Sequence, residues 1–155
     1  FFTTGLEEPE QPGPATTLPD WKNEHFSATE LDDPAISGNS ADADSDGMDN
    51  LLEYALVSNP LTPDPQHIPE LVTLSDLGGT EFLGLRYRRR AGASDIIYGI
   101  ESSIDLVNWL PEKTTISVSS VNNDDGSLTE TIRLVDAIKG DARRFLRLRV
   151  STIPD

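Results

Sequence analysis

Beyond residue 69, apolar and polar side chains alternate with period two. Leu83, Leu85 and Tyr87 alternate with Phe82, Arg86 and Arg88, and Leu146, Leu148 and Val150 alternate with Phe145, Arg147 and Arg149. Successive side chains of a strand point to opposite faces, so this pattern predicts strands with one buried and one partly wet face, as in antiparallel sheet. Strands are predicted over residues 71–74, 81–90, 95–102, 114–121, 127–135 and 143–152, separated by turns at Gly78-Gly79, Gly92, residues 122–126 and Gly140. The predicted fold is mainly β, an antiparallel β-sandwich or roll. Its expected core is Leu83, Leu85, Tyr87, Ile100, Leu146, Leu148 and Val150.

The first half has a different rhythm. Trp21 and Phe26 are its first large apolar anchors, and Ser27 with Glu30 reads as a capping box opening a short helix bounded by Pro34 and Gly38. A second helix is predicted over residues 50–58 from Leu51, Leu52, Ala55 and Leu56, ended by Asn59-Pro60. Pro60, Pro63, Pro65 and Pro69 then make a stiff connector. Ahead of all this, residues 1–19 hold four prolines and three glutamates, a mix that builds no core and favours an extended arm. The chain therefore divides into an arm (1–19), an acidic helical segment (20–68) and a β domain (69–155).

Composition sharpens the division. At 155 residues the chain has room for one core, and it holds no cysteine, so disulfides and thiolate metal sites are excluded. No apolar run approaches the ~20 residues that span a bilayer. Phe1 is not an initiator residue, so the chain reads as a processed form or a fragment. Residues 1–70 carry 15 acids and one base (Lys22), against 12 acids and 11 bases in residues 71–155. Such an acidic first half disfavours nucleic acid as a partner.

The most specific chemistry lies in residues 42–53, Asp-Ala-Asp-Ser-Asp-Gly-Met-Asp-Asn-Leu-Leu-Glu. With Asp42 as position 1, carboxylates fall at 1, 3 and 5 (Asp42, Asp44, Asp46), Gly47 at 6, Met48 at 7, Asn50 at 9 and Glu53 at 12. This is the oxygen spacing of an EF-hand loop: short alternate side chains converge while the chain curls, position 7 offers a carbonyl, and a long Glu closes the shell. Hard oxygen ligands select Ca2+ over softer metals. The pattern departs from the EF-hand at position 8, where Asp49 replaces an apolar residue.

With that register, and with Leu-Glu-Tyr running on to Asn59-Pro60, the segment resembles the bacterial thrombospondin-type-3-like calcium repeats of secreted proteins, which implies a structural ion. The series 85–90 (Leu-Arg-Tyr-Arg-Arg-Arg), 97–109 (Ile-Tyr-Gly-Ile-Glu through to Asn-Trp) and 143–150 (Arg-Arg-Phe-Leu-Arg-Leu-Arg-Val) is similar to a C-terminal β module of secreted verrucomicrobial and planctomycete proteins. Those motifs carry no known chemistry. The resemblance, covering about residues 21–150, implies family and fold rather than activity.

Other clusters read more plainly. His25 and His67 suit locally satisfied roles, no Gly-x-Ser-x-Gly elbow or phosphate-binding loop occurs, and the paired carboxylates of the loop are better explained by calcium than by glycoside chemistry. Residues 122–126 read as a hairpin turn rather than a second ion site, Asp32-Asp33 as helix-end residues, and Trp21 and Trp109 as core rather than sugar platforms. The arginines are more open. Arg86 and Arg88 share one strand face, as do Arg147 and Arg149, so if their strands share a sheet they form a basic surface that an acidic arm could dock on.

The function expected is a secreted, non-catalytic, calcium-binding structural module. It would self-associate into an extracellular polymer through Phe1 and Phe2 of its arm and Arg86, Arg88, Arg147 and Arg149. The alternatives are a carbohydrate-binding module, contacting polysaccharide or cell surface, and a C-terminal sorting or anchoring module of a larger secreted protein.

Overall fold

The computed structural model describes residues 17–140 and 143–154. Seven strands form two antiparallel sheets: β1 (Glu70–Ser75), β2 (Glu81–Arg90), β3 (Ile96–Ser103), β4 (Leu110–Pro111), β5 (Thr115–Asn122), β6 (Ser127–Ala137) and β7 (Phe145–Thr152). The first sheet runs β1-β2-β6-β5 and the second β4-β3-β7, the two layers of a β-sandwich. Local turns make two of the pairings. Asp76 accepts hydrogen bonds from the amides of Gly78 and Thr80 (both 2.9 Å) to close β1 onto β2. Residues 122–126 close β5 onto β6, with the Asn123 amide donating to the Ser127 carbonyl. The pairings of β2 with β6 and of β3 with β7 join strands far apart in sequence.

Leu85 and Ile132 from the first sheet meet Ile100 from the second, with Tyr87, Leu146 and Leu148 packed around them. Burying each aliphatic side chain contributes roughly 1.5–3 kcal/mol. Two expected core residues go elsewhere. Leu83 is only half-buried, because the β2–β6 register shifts between Phe82 and Gly84 and breaks the alternation there. Phe82 is buried in its place, with the Arg133 guanidinium 3.7 Å above its ring. Gly84 is required at this point, since a Cβ would lie 2.3 Å from the Ile132 carbonyl oxygen. Val150 packs against the helical segment instead.

Four short helices precede the sandwich: α1 (Leu18–His25), α2 (Ala28–Leu31), α3 (Pro34–Ser37) and α4 (Asn50–Leu56). α1 was not expected, because Pro19 reads as part of the arm. Proline is tolerated in a first helical turn, where its missing amide has no partner to lose, and Thr17 with Asp20 forms a complete capping box. The Ser27–Glu30 box opens α2 as expected, and Asp33 caps α3. α4 ends earlier than its apolar pattern suggests, at Val57 in the left-handed region (φ 59°).

The helices share a core with the second sheet. Leu18, Trp21, Phe26, Tyr54 and Ala55 pack with Ile96 of β3, and Tyr98 and Val150 pack alongside. Asp95 is the polar joint, accepting hydrogen bonds from the Leu18 amide (2.7 Å) and the Tyr54 hydroxyl (2.9 Å). Tyr98 donates to the Ala55 carbonyl (2.7 Å), and Arg90 donates to the Tyr54 carbonyl (2.8 Å) while lying 4.4 Å above the Tyr54 ring. Among the described residues no helix is long and apolar enough to cross a membrane.

Candidate metal centre

The loop before α4 is organised by its own aspartates. Asp46 donates its amide to Asp42 (3.2 Å) and Asp44 (3.1 Å), Gly47 donates to Asp42 (3.0 Å), and Met48 donates to Asp46 (2.8 Å). These bonds, with Ser45 at φ 64° and Gly47 at φ 96°, curl the chain so that its short acids turn inward. Asp42, Asp44 and Asp46 each bring a carboxylate oxygen within 4.8 Å of the others. Met48 buries its side chain, so only its carbonyl remains to offer.

α4 supplies the far wall. Glu53 is 0% exposed, and neither of its carboxylate oxygens has a hydrogen-bond partner. Burial, then the charges of Asp44, Asp46, Asp42 and Asp49, pushes its pKa up to about 8. Burial likewise raises Asp44, whose Oδ2 is also without a partner. A buried carboxylate facing other carboxylates is costly to ionise unless a cation compensates it. The donor set therefore fits a hard divalent ion, and the unpartnered oxygens of Glu53 are what a bare acidic turn would lack.

Asn50 and Asp49 occupy different roles. The Asn50 amide nitrogen donates to the carbonyls of Ile36 and Gly38 (both 2.8 Å), which orients the group and leaves its Oδ1 buried without a partner. Asp49 caps α4, accepting from the Leu52 amide (2.8 Å). That explains the departure at position 8: the residue ends a loop and starts a helix, and Met48 takes the apolar role one position earlier. Sequence reasoning missed Asp64, whose amide donates to Asp46 Oδ2 (3.0 Å) and ties the connector to the loop. A backbone donor 18 residues away leaves no signature in side-chain spacing.

The arginines do not form one surface. β2 and β7 lie in different sheets, and all four side chains hold partners inside the chain. Arg86 pairs with Glu70 (3.1 Å) and Arg88 with Asp125 (2.6 Å), while Arg147 and Arg149 share Glu101 (2.6 and 3.0 Å). Phe1 and Phe2 lie outside the described residues. His67 sits between Asp64 and Arg88, and the His25 ring lies tilted against Trp21. Trp21 is core, whereas Trp109 is half-buried beneath Arg147 (4.3 Å). Among the described residues the aromatic rings are buried or half-buried.

No protein-family profile, curated protein or solved structure matches the chain.

Proposed function

We propose that the chain is a calcium-binding, non-catalytic structural module of an extracellular or cell-surface protein that works in contact with other copies of itself. One observation carries the calcium reading: Glu53 is fully buried, faces Asp42, Asp44 and Asp46, and has no hydrogen-bond partner for either oxygen. Asp42, Asp44, Asp46, Glu53, the Asn50 Oδ1 and the Met48 carbonyl would hold the ion, which supplies positive charge to an otherwise self-repelling shell. The ion is structural in this reading, joining the loop, α4 and the connector through Asp46 and Asp64.

Extracellular modules bind calcium with dissociation constants of roughly 10⁻⁴–10⁻³ M, a range matched to a calcium-rich exterior. The test is calorimetric titration with calcium beside thermal melts with and without EDTA. Saturable binding of one ion, with a melting point that falls in EDTA and an Asp46→Ala variant indifferent to both, supports the proposal. A wild-type melt unchanged by EDTA sinks it.

A further inference from the structure

Among the described residues four strands leave a free edge, β1 and β5 in the first sheet and β4 and β7 in the second. Edges invite pairing with foreign strands, and proteins guard them with charge, proline, short length or bulges. β7 carries Arg147 and Arg149, β4 is two residues long and ends in Pro111, and β1 starts at Glu70, paired with Arg86. β5 is different. Its eight residues, Thr-Ile-Ser-Val-Ser-Ser-Val-Asn, include no charge and no proline, and all after Thr115 are exposed, with Val118 at 49% and Val121 at 54%.

Its one irregularity is a register shift between Ser117 and Ser119. That shift puts Ile116, opposite Arg133, and Val121, opposite Thr129, on the same face of the sheet; without it, a spacing of five would separate them. We propose that β5 pairs antiparallel with β5 of a second copy, continuing each four-stranded sheet into its partner's about a two-fold axis between Val118 and Ser119. This rests on the reading of the chain as a self-associating module and names the surface used.

In that register Thr115 faces the partner's Asn122, and Ile116 faces the partner's Val121 as a cross-strand apolar pair. The two shifts meet at the axis, so ladder hydrogen bonds form on both flanks of it. Charge favours the same arrangement. A chain of net charge −15 repels its copies, and β5 is a neutral strip with Lys113 just before it and Asp124 just after it. Neither has an ion partner among the described residues, and antiparallel pairing brings each beside the partner's opposite charge.

Sedimentation of the full chain in calcium should show a concentration-dependent dimer. Val121→Lys should raise its dissociation constant at least ~10-fold, with circular dichroism unchanged. Lys113→Glu should weaken the dimer, and adding Asp124→Lys to it should restore the dimer. Ser119→Cys, the only thiol in the chain, should give a short inter-copy spin-label distance. A monomer at the highest attainable concentration overturns the proposal, as does a dimer indifferent to Val121→Lys. A dimer that dissolves only when residues 1–16 are removed also overturns it and assigns the contact to the arm. Calcium response is read separately in the melt, so a dimer without calcium response sinks the calcium reading alone, a calcium-responsive monomer sinks self-association and the edge pairing with it, and a dimer indifferent to Val121→Lys sinks the edge pairing alone.

Discussion

Glu101 in the sandwich and Glu53 in the helical segment are both buried carboxylates, 4% and 0% exposed, and their surroundings are opposite. Glu101 accepts hydrogen bonds from Arg147 (2.8 Å) and Arg149 (3.0 Å), and the bond from Arg147 is the largest cause holding its pKa below the usual carboxylate value. Glu53 is desolvated by burial and repelled by Asp44, Asp46, Asp42 and Asp49, and its pKa is pushed up to about 8. The sandwich compensates its charges from within, having nearly as many bases as acids, while the helical half has one base, and in the proposed reading its compensating cation comes from outside. One half is electrostatically closed and the other open. The open half is where an ion can control order.

The largest test of this contrast is the joint between the halves. Tyr54 is fully buried, meets the Trp21 ring at 5.7 Å and donates to Asp95, so Tyr54→Ala should cost about 3–5 kcal/mol in chemical denaturation. Wild-type unfolding should be a single transition, because the helical core includes Ile96 of β3. Two separate transitions would show the halves to be independent.

Calcium comes next. At a hundredfold excess over its dissociation constant it should add ~2.7 kcal/mol. For a chain of this size each kilocalorie moves the melting point about 2–4 °C. The gain should vanish in Asp46→Ala and persist in Glu101→Gln; equal loss in both would erase the contrast.

Glu53→Gln should then separate the roles of charge and ion. In EDTA the variant should be about 1–2 kcal/mol more stable than wild type at pH 8.5, because a neutral amide is less costly to bury and no longer repels the four aspartates around it. In calcium it should be the less stable of the two. The ion-free wild type should also lose stability with rising pH. Glu53's folded pKa lies above its unfolded one, so its contribution is present below about 4.5 and is lost as pH rises through about 8. Melts in EDTA across this range should slope downward for wild type and flatten for Glu53→Gln.

The smallest effect is the mirror image. Glu101→Gln should cost about 1 kcal/mol at neutral pH, a modest figure because Arg147 and Arg149 are 48% and 65% exposed. Its depressed pKa gives the opposite sign: the stability it contributes is present above the ordinary carboxylate range and lost as pH falls through the folded value. Wild type should therefore show more acid sensitivity than Glu101→Gln.

Much of this was legible before any fold was known. β2 and β7 follow from alternation, and the Ser27–Glu30 capping box and the hairpin at residues 122–126 are short-range patterns. The capping box of Thr17 and Asp20 was not read, because the prolines around it suggested an arm. The Asp-x-Asp-x-Asp-Gly spacing pointed to residues that the structure brings together, Asp42, Asp44 and Asp46, with Glu53 behind them. Leu83 misled because a register shift in the partner pairing, invisible within its own strand, changes which face is inward.

By itself, then, the sequence determined what a few neighbouring residues can settle: strand faces, helix starts and the curl of an acidic loop, because side-chain directions over one turn or one pleat follow from backbone geometry alone. Only the tertiary structure decided which sheet each strand joins and which acid each arginine meets. It also set the buried surroundings of Glu53 and left β5 bare at an edge. Those outcomes depend on partners far along the chain, as with Glu101 and Arg147 at 46 residues or Leu18 and Asp95 at 77, and no local spacing encodes a neighbour that distant.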